Sequence, residues 1–227
     1  PKDALPLEVI HQHIHPRDPV PRDPFDPQET EDRPFHRRGR VVLDPGKDID
    51  GAHPLNAGRL ARAAFIDSPQ NVGPYFVPAT PLGGLELLKR YDVNIDGERA
   101  VIVGASNLIG KPLSLLLTRH WATVTICDLH TKPLAAMTKE ADILASVTGV
   151  AHLITADMVK KGATVLDFGF TKMDGEWVGD VDYENVKELA DAISPVPGGT
   201  GPMTNAMLMR NTLTAAQRQA RLRSEER

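Results

Sequence analysis

At residues 101–112 the chain has the sequence VIVGASNLIGKP, which predicts a strand, then a glycine-bounded turn, then a helix. The apolar run 100–103 is typical of a buried strand, and the apolar spacing in 113–117 is typical of a helix. Main-chain N–H groups at the start of a helix, together with its dipole, favour an anion. We therefore expect a pyrophosphate to bind the amides near Lys111. The spacing Gly-x5-Gly differs from the common G-x-G-x-x-G, so a second indicator is needed.

That second indicator is Asp128, where the predicted strand 123–127 ends eighteen residues after Gly110. An acidic side chain at about this distance accepts hydrogen bonds from the ribose of a bound dinucleotide. The turn and the acid together favour a dinucleotide site over a purely structural turn.

Alternating strands and helices surround this turn. The hydrophobic pattern predicts strands at 100–104, 123–127, 142–147, 163–168 and 191–193. It predicts helices at 55–65, 81–91, 110–120, 133–139, 155–159 and 202–218, and a hairpin around 174–175. Thr80 is the expected N-cap of the second helix, and a frayed tail is expected after Arg218. Such alternation predicts an α/β fold with a parallel sheet covered on both faces.

The composition excludes several kinds of partner. The chain has 227 residues, 41% of them hydrophobic, and a net charge of −4, so we expect no nucleic acid and no membrane as partners. No apolar run approaches the roughly 20 residues of a membrane span. The single cysteine, Cys127, fits a reducing compartment, and we expect the cytoplasm, with the mitochondrion as the alternative. The chain starts at Pro1 without a methionine, so we expect further sequence upstream.

Residues 16–40 differ in composition from the rest of the chain. Six prolines between 16 and 40, interleaved with arginine and aspartate, predict an extended surface insertion without chemistry of its own. His11, His13 and His15 alternate and would share one face of a strand. No fourth ligand is evident, so solvated loop histidines are favoured and no metal site is predicted.

Two further segments have compositions suited to ligand contact. The loop PVPGGTGPMT, residues 195–204, is rigid and rich in main-chain donors, which suits a flat polar ring or a nicotinamide. The alternative for this loop is a structural turn. The segment KDIDG, residues 47–51, is interpreted as a turn, with a calcium loop and a substrate contact as alternatives. In a substrate contact, a carboxylate would accept two N–H groups from an amino-pyrimidinone ring.

Seven strings, in the same order along the chain, resemble the bifunctional methylenetetrahydrofolate dehydrogenase/cyclohydrolase family. They are KDIDGAHPLNAGRL (47–60), PATPLGGLELLKRY (78–91), VIVGASNLIGKPL (101–113), ATVTICD (122–128), GATVLDFGF (162–170), VGDVDYENV (178–186) and ISPVPGGTGPMTNAML (193–208). The resemblance runs over residues 44–217, and the last string is highly specific.

The resemblance implies both a fold and an activity. It implies a Rossmann-type NAD(P)-binding domain at 71–201 and the remnant of a smaller α/β substrate domain at 1–70, with a helix at 202–227 that packs back on the substrate domain. It implies oxidation of 5,10-methylenetetrahydrofolate to the methenyl form with NADP or NAD, followed by hydrolysis to 10-formyltetrahydrofolate. The implied partners are tetrahydrofolate derivatives and a second copy of the chain in a homodimer.

The resemblance also implies two sets of site residues, with Asp50 as the residue that orients the folate. The implied substrate-binding residues are Asp50, Pro197, Gly198, Gly199 and Gly201. The implied cofactor-binding residues are Gly104, Ala105, Ser106, Gly110, Asp128, His130, Thr148, Ile154 and Thr204.

Two departures from the family pattern bear on activity. The family's catalytic lysine belongs to a Tyr-x-x-x-Lys motif upstream of KDIDG, whereas Tyr75 and Tyr91 lie downstream, so we expect that lysine and the first half of the substrate domain to be absent. The family's His-Ser-Arg/Lys-Thr, which receives the 2′-phosphate of NADP, is here DLHT at 128–131. The family's Gly-Arg-Ser at the cofactor turn is here Gly104-Ala105-Ser106, so a second cation is lost. The two lost cations and the added anion favour NAD, although Lys132 is placed to compensate.

Two other hypotheses remain open from the sequence. The missing lysine motif is compatible with a catalytically inactive homologue that binds folate or nucleotide. A different amino- or hydroxy-acid dehydrogenase with the same sheet would explain the cofactor turn, but not PVPGGTGPMT or KDIDGAHP.

Overall fold

The computed structural model describes residues 43–63 and 74–225, together with the backbone of 36–37 and 40–41. The chain divides into two compact units, residues 1–43 and 44–227. In the first unit, strands β1 (His36–Arg37) and β2 (Arg40–Val41) form an antiparallel pair, so the end of the predicted extended insertion contains regular structure. The predictions for His11, His13, His15 and the remainder of the insertion lie outside the described residues.

Two helices precede the main sheet in the second unit. Helix α1 (Pro54–Arg62) begins after His53, whose Nδ1 accepts a hydrogen bond from the Leu55 N–H at 2.9 Å. It ends earlier than predicted because Ala63 has an extended backbone. Helix α2 (Ala79–Arg90) begins two residues before the predicted start. Proline needs no hydrogen-bonded N–H in a first turn, so Pro81 is accommodated inside the helix and the prediction of Thr80 as N-cap is wrong.

The main sheet consists of parallel strands, as predicted. They are β3 (Arg99–Val103), β4 (Thr123–Cys127), β5 (Ile143–Ser146), β6 (Thr164–Asp167) and β9 (Ala192–Ile193). Their spatial order is β4–β3–β5–β6–β9, so the chain goes from β3 first to one side and then to the other. In open sheets of this type, ligands bind beyond the carboxyl ends of the strands at the point where the order reverses. Here that point, called the switch point below, lies between β3 and β5.

Short helices and a hairpin connect these strands. They are α3 (Gly110–Arg119), α4 (Leu134–Thr138), a 3₁₀ turn (Ala156–Met158), the hairpin β7 (Thr171–Met173) and β8 (Glu176–Val178), and α5 (Tyr183–Val186). Successive strand residues point to opposite faces of the sheet. Accordingly, Ile102 packs in one buried cluster with Leu113 and Leu117, whereas Val101 and Val103 pack in another. The sheet is therefore covered on both faces, as predicted.

The last helix, α6 (Thr200–Glu225), is longer than predicted at both ends. Pro202 lies within the first turn, where proline is tolerated, so the helix starts at Thr200. The arginine-rich segment after Arg218 is helical rather than frayed, because arginine, alanine and glutamine are good helix formers. Helix α6 packs closely on α2, since a Cβ at Gly83 would lie 3.0 Å from the carbonyl carbon of Met203. In the described part of the chain, no helix combines the length and apolarity that crossing a membrane requires.

Candidate functional site

The turn between β3 and α3 is built on two glycines that contact each other. Gly104 has a φ of +114°, and its N–H donates to the carbonyl of Cys127 at 2.8 Å. A Cβ at Gly110 would lie 1.9 Å from the carbonyl oxygen of Gly104. Any side chain at Gly110 would therefore push the start of α3 away from the turn. The structure thus accounts for both glycines of the Gly-x5-Gly spacing.

The same turn has main-chain donors available to a ligand. Among the described residues, no acceptor is hydrogen-bonded to the N–H groups of residues 105–108. Ser106 Oγ accepts from the N–H groups of Ile109 and Gly110, both at 3.2 Å, and the Lys111 N–H donates to the Ser106 carbonyl. The amides near Lys111 are therefore already paired, and the free donors lie one turn earlier than expected. A run of free N–H groups before a helix is suited to a phosphate anion.

Asp128 lies next to this turn, directly after β4. Cys127 pairs with Val103 in the parallel register, so Asp128 and Gly104 leave the sheet side by side. The exposed Asp128 carboxylate accepts the N–H of His130 at 2.8 Å and the hydroxyl of Thr131 at 3.3 Å. These bonds hold the carboxylate at the edge where the ribose of a dinucleotide binds.

On the other side of β3, the buried Asp167 joins the end of β6 to the segment after β8. Its Oδ1 accepts the N–H groups of Gly169 and Asp180 at 2.8 and 3.0 Å, and its Oδ2 accepts the N–H of Val181 at 2.9 Å. Burial raises the pKa of Asp167, and the nearby Asp180 carboxylate adds to the increase, whereas the three amide donors oppose it.

A second buried carboxylate, Asp180, holds the loop after β5. Its Oδ2 accepts hydrogen bonds from the Ser146 hydroxyl and from the N–H groups of Thr148 and Gly149. The predicted cofactor residue Thr148 is half-buried in this loop. Ile154, also predicted to flank the nicotinamide, has a fully buried side chain in the core, and its N–H donates to the Asp180 carbonyl at 3.0 Å. The side chain of Ile154 therefore packs in the core and is not exposed to a ligand.

The glycine-rich loop connects β9 to α6 and is fastened to β6. The Thr200 hydroxyl donates to the Asp167 carbonyl at 2.9 Å, and the Ser194 hydroxyl accepts the Asp167 N–H at 2.8 Å. Three predicted ligand contacts, Pro197, Gly198 and Gly201, are exposed, whereas Gly199 is partly buried. The hydroxyl of Thr204 donates to the Thr200 carbonyl at 3.0 Å, within its own helix.

The KDIDG segment forms a turn in which its two acids have different surroundings. Asp48 is only 2% exposed and accepts hydrogen bonds from the N–H groups of Ala52 and His53 and from Asn56 Nδ2, at 3.1, 2.8 and 2.7 Å. Asp50 is exposed. Asp48 therefore shapes the turn, and Asp50 is left available to a ligand. The sequence does not mark Asp48 out from Asp50, because the helix cap itself is His53 and the donors to Asp48 are set by the fold of the turn.

Asn211 on α6 fastens this turn to the rest of the unit, and sequence reasoning missed it. Its side-chain amide donates to the carbonyls of Ile49 and Val77 at 2.8 and 3.0 Å. Since a helix rises 1.5 Å per residue, Asn211 lies about 16 Å along α6 from Thr200. One helix thus holds both the glycine-rich loop and the turn that carries Asp50.

A parallel sheet with free amides after its first strand and an acid after the second defines a Rossmann-type dinucleotide-binding protein. Residues 78–220 match the model of the tetrahydrofolate dehydrogenase/cyclohydrolase family, NAD(P)-binding domain. The chain belongs to this family, and the expected family, fold class and cofactor class are confirmed.

Individual relatives agree with this assignment. The bifunctional protein FolD of Roseiflexus castenholzii is 53% identical over 189 residues, which cover 83% of this chain and 62% of that protein. The crystal structure of the bifunctional enzyme FolD, methylenetetrahydrofolate dehydrogenase/cyclohydrolase, from Campylobacter jejuni has a TM-score of 0.72 and 42% identity, covering 78% of this chain and 60% of that one.

The Trypanosoma brucei FolD structure, complexed with NADP cofactor and inhibitor, has a TM-score of 0.71 and 37% identity. Its alignment covers 79% of this chain and 61% of that chain. The chain therefore spans about three fifths of the length of these relatives.

Proposed function

We propose that the protein is an NAD(P)-dependent methylenetetrahydrofolate dehydrogenase and methenyltetrahydrofolate cyclohydrolase. It oxidises 5,10-methylenetetrahydrofolate to the methenyl form and hydrolyses the product to 10-formyltetrahydrofolate. The observation that carries this proposal is the family match over residues 78–220, on a sheet whose first turn has unpaired N–H groups. The C. jejuni relative is named for the same two activities.

The chain contributes binding and orientation to this reaction, while the nicotinamide supplies the hydride acceptor. The N–H groups of residues 105–108 bind the pyrophosphate. The loop 197–201 and Thr148 adjoin the nicotinamide and the folate. Asp50 orients the pterin by accepting ring N–H groups at its exposed carboxylate.

We also propose that NAD is preferred over NADP. A 2′-phosphate would lie near the Asp128 carboxylate, which is held in place by the His130 N–H and the Thr131 hydroxyl. Two like charges about 4 Å apart repel by about 1–4 kcal/mol, depending on the effective dielectric constant. The same carboxylate is an acceptor for the free 2′-hydroxyl of NAD.

A homodimer in the cytoplasm, acting on tetrahydrofolate derivatives, completes the proposal. The exposed rings of Phe170, just before β7, and Trp177, in β8, stack on each other with 4.2 Å between centroids, and such an exposed apolar pair supports self-association. Analytical ultracentrifugation over a range of concentrations measures the oligomeric state, and a monomer at every concentration would contradict the homodimer.

The direct test of the proposed activity is the reduction of NAD or NADP, followed by absorbance, with 5,10-methylenetetrahydrofolate as substrate. We expect Asp50→Ala to raise the KM for the folate and to leave dinucleotide binding unchanged. Asp96→Ala, at another exposed acid in a turn, is the matched control and should alter neither. A protein that binds dinucleotide but reduces none would contradict the enzyme and favour an inactive binding homologue.

A further inference from the structure

Asp180 is a fully buried carboxylate that holds the loop after β5 and has no part in the ligand contacts proposed above. Its Oδ2 accepts three hydrogen bonds, from the Ser146 hydroxyl at 2.9 Å, the Thr148 N–H at 2.7 Å and the Gly149 N–H at 3.3 Å. Its Oδ1 is also buried and has no hydrogen-bond partner among the described residues. Burying a charge with one oxygen unpaired opposes folding, so stability alone does not account for this acid.

The hydrogen bonds that Asp180 accepts show how its carboxylate acts on the loop after β5. The consecutive N–H groups of Thr148 and Gly149, with Gly149 at a φ of +69°, form a concavity that favours an anion. In this chain the Asp180 carboxylate occupies it. Hydrogen bonds to an ionised acceptor are about twice as strong as those to a neutral one. The carboxylate therefore fixes the peptide planes of this loop before any ligand binds.

The neighbouring Asp167 fixes Asp180 in turn. Asp167 accepts the N–H groups of Asp180 and Val181, and the two segments interlock closely around them. A Cβ at Gly179 would lie 1.9 Å from Asp167 Oδ2, and one at Gly169 would lie 2.2 Å from Asp180 Oδ1. The position of the Asp180 carboxylate is thus set by strand β6.

The sheet order shows which half of a dinucleotide this loop faces. The pyrophosphate donors follow β3, and the ribose acceptor Asp128 follows β4, on one side of the switch point. A dinucleotide lies across that point, so its other half extends over the ends of β5 and β6. The loop held by Asp180 directly follows β5. It therefore adjoins the nicotinamide half.

We propose, on the basis of the proposed NAD(P)-binding function, that Asp180 is a positioning residue for the nicotinamide half of the cofactor. Its side chain does not touch the cofactor. Its charge holds the Thr148–Gly149 peptide in the orientation that receives the nicotinamide ribose and ring. Loss of the charge should weaken contacts on that side of the pyrophosphate and leave the adenosine side unaffected.

The test compares two ligands on the full chain: NAD, and ADP-ribose, which lacks the nicotinamide. In Asp180→Asn, we expect the Kd for NAD to rise about tenfold, because a charge-assisted network becomes neutral, and the Kd for ADP-ribose to change less than about twofold. Asp182→Asn is the matched control, since within residues 43–63 and 74–225 its carboxylate accepts a hydrogen bond only from the Asn185 side chain, at 2.7 Å. It should change neither Kd.

The outcomes separate the two proposals. If the wild-type chain binds neither ligand, the proposed function fails and the role of Asp180 fails with it. If it binds both, and Asp180→Asn weakens both equally or neither, the proposed function stands and the role of Asp180 is refuted.

Two further measurements cover the case in which Asp180→Asn does not fold. Ser146→Ala removes one donor and should weaken NAD binding by about threefold without affecting ADP-ribose; equal effects on both ligands would refute the role of Asp180. Amide hydrogen exchange by NMR, without cofactor, should show slow exchange at Thr148 and Gly149. Fast exchange at both would also refute it.

Discussion

Replacing Asn211 by leucine should destabilise the chain through two carbonyl groups far away in sequence. The Asn211 side chain is 7% exposed, and its amide bridges the carbonyls of Ile49 and Val77 at 2.8 and 3.0 Å. Leucine has a similar size and favours a helix, so the change removes both hydrogen bonds without emptying the site. The carbonyls then lose their donor.

The expected loss follows from those two bonds. An unpaired buried polar group costs about 1–3 kcal/mol, and because these two hydrogen bonds are part-buried, the lower part of that range applies to each carbonyl, which gives a total of about 3 kcal/mol. For a chain of this size, such a loss lowers Tm by about 6–12 °C. Because Ile49 directly precedes Asp50, folate binding should also weaken.

Urea unfolding followed by circular dichroism measures the free energy of unfolding directly. Asn205→Leu provides the control, since Asn205 is exposed on the same helix and the change in helix propensity is identical. We expect the control to lie within about 0.5 kcal/mol of wild type. Equal stabilities of the two variants would refute the argument that Asn211 joins the turn to α6.

Three other predictions follow from contacts at the site. Gly110→Ala should weaken dinucleotide binding more than tenfold by titration, because a Cβ there meets the Gly104 carbonyl. Asp128→Ser should raise the affinity for NADP relative to NAD by about tenfold, since a repulsive charge is removed. Stability should depend on pH in opposite directions at two acids. Burial raises the pKa of Asp167, so its contribution to the free energy of unfolding is complete at low pH and is lost as the pH rises. The Lys160 hydrogen bond lowers the pKa of Asp142, so its contribution to the free energy of unfolding is lost as the pH falls. We measure the free energy of unfolding in urea for each variant and for wild type. As the pH is raised from 3 to 7, the value for Asp167→Asn should rise relative to wild type, and the value for Asp142→Asn should fall relative to wild type.

Each of these predictions has an outcome that contradicts it. Unchanged dinucleotide binding by Gly110→Ala would mean that the start of α3 shifts away from Gly104 without any loss of binding free energy. An unchanged ratio of NAD to NADP affinity in Asp128→Ser would mean that the carboxylate lies away from the 2′ position. Parallel pH profiles for the two asparagine variants would contradict the assigned pKa directions.

Elements with a clear hydrophobic pattern, either periodic or apolar throughout, were predictable from sequence. Successive residues of β3 pack on opposite faces, and this strand is apolar throughout 100–103, as a strand buried on both sides must be. Helix ends were less predictable. Proline is tolerated in a first turn, so α2 and α6 begin before Pro81 and Pro202, and the charged segment after Arg218 continues α6. At these ends, local preferences allow more than one boundary.

The residues that hold the site together were not predictable, because their partners are distant in sequence. Asn211 donates to carbonyls 134 and 162 positions away, and Asp180 accepts from donors 31 to 34 positions away. KDIDG shows the same difficulty locally, since nothing in its pattern distinguishes the buried Asp48 from the exposed Asp50. Burial is a tertiary property, and it decides which acid shapes the turn.

The two sides of the switch point use main-chain amides in opposite ways, and this difference supports one orientation of the proposed dinucleotide. On the β3 side, the N–H groups of residues 105–108 are free of protein partners among the described residues and can receive an external anion. On the β5 and β6 side, the buried carboxylates of Asp167 and Asp180 already accept hydrogen bonds from five amides, so a phosphate there would lie near two acidic groups that occupy these donors. We therefore expect the pyrophosphate of the proposed cofactor to bind on the first side. The nicotinamide half, whose oxidised ring is cationic, is then expected on the second side, where the buried carboxylates of Asp167 and Asp180 hold the loops in place.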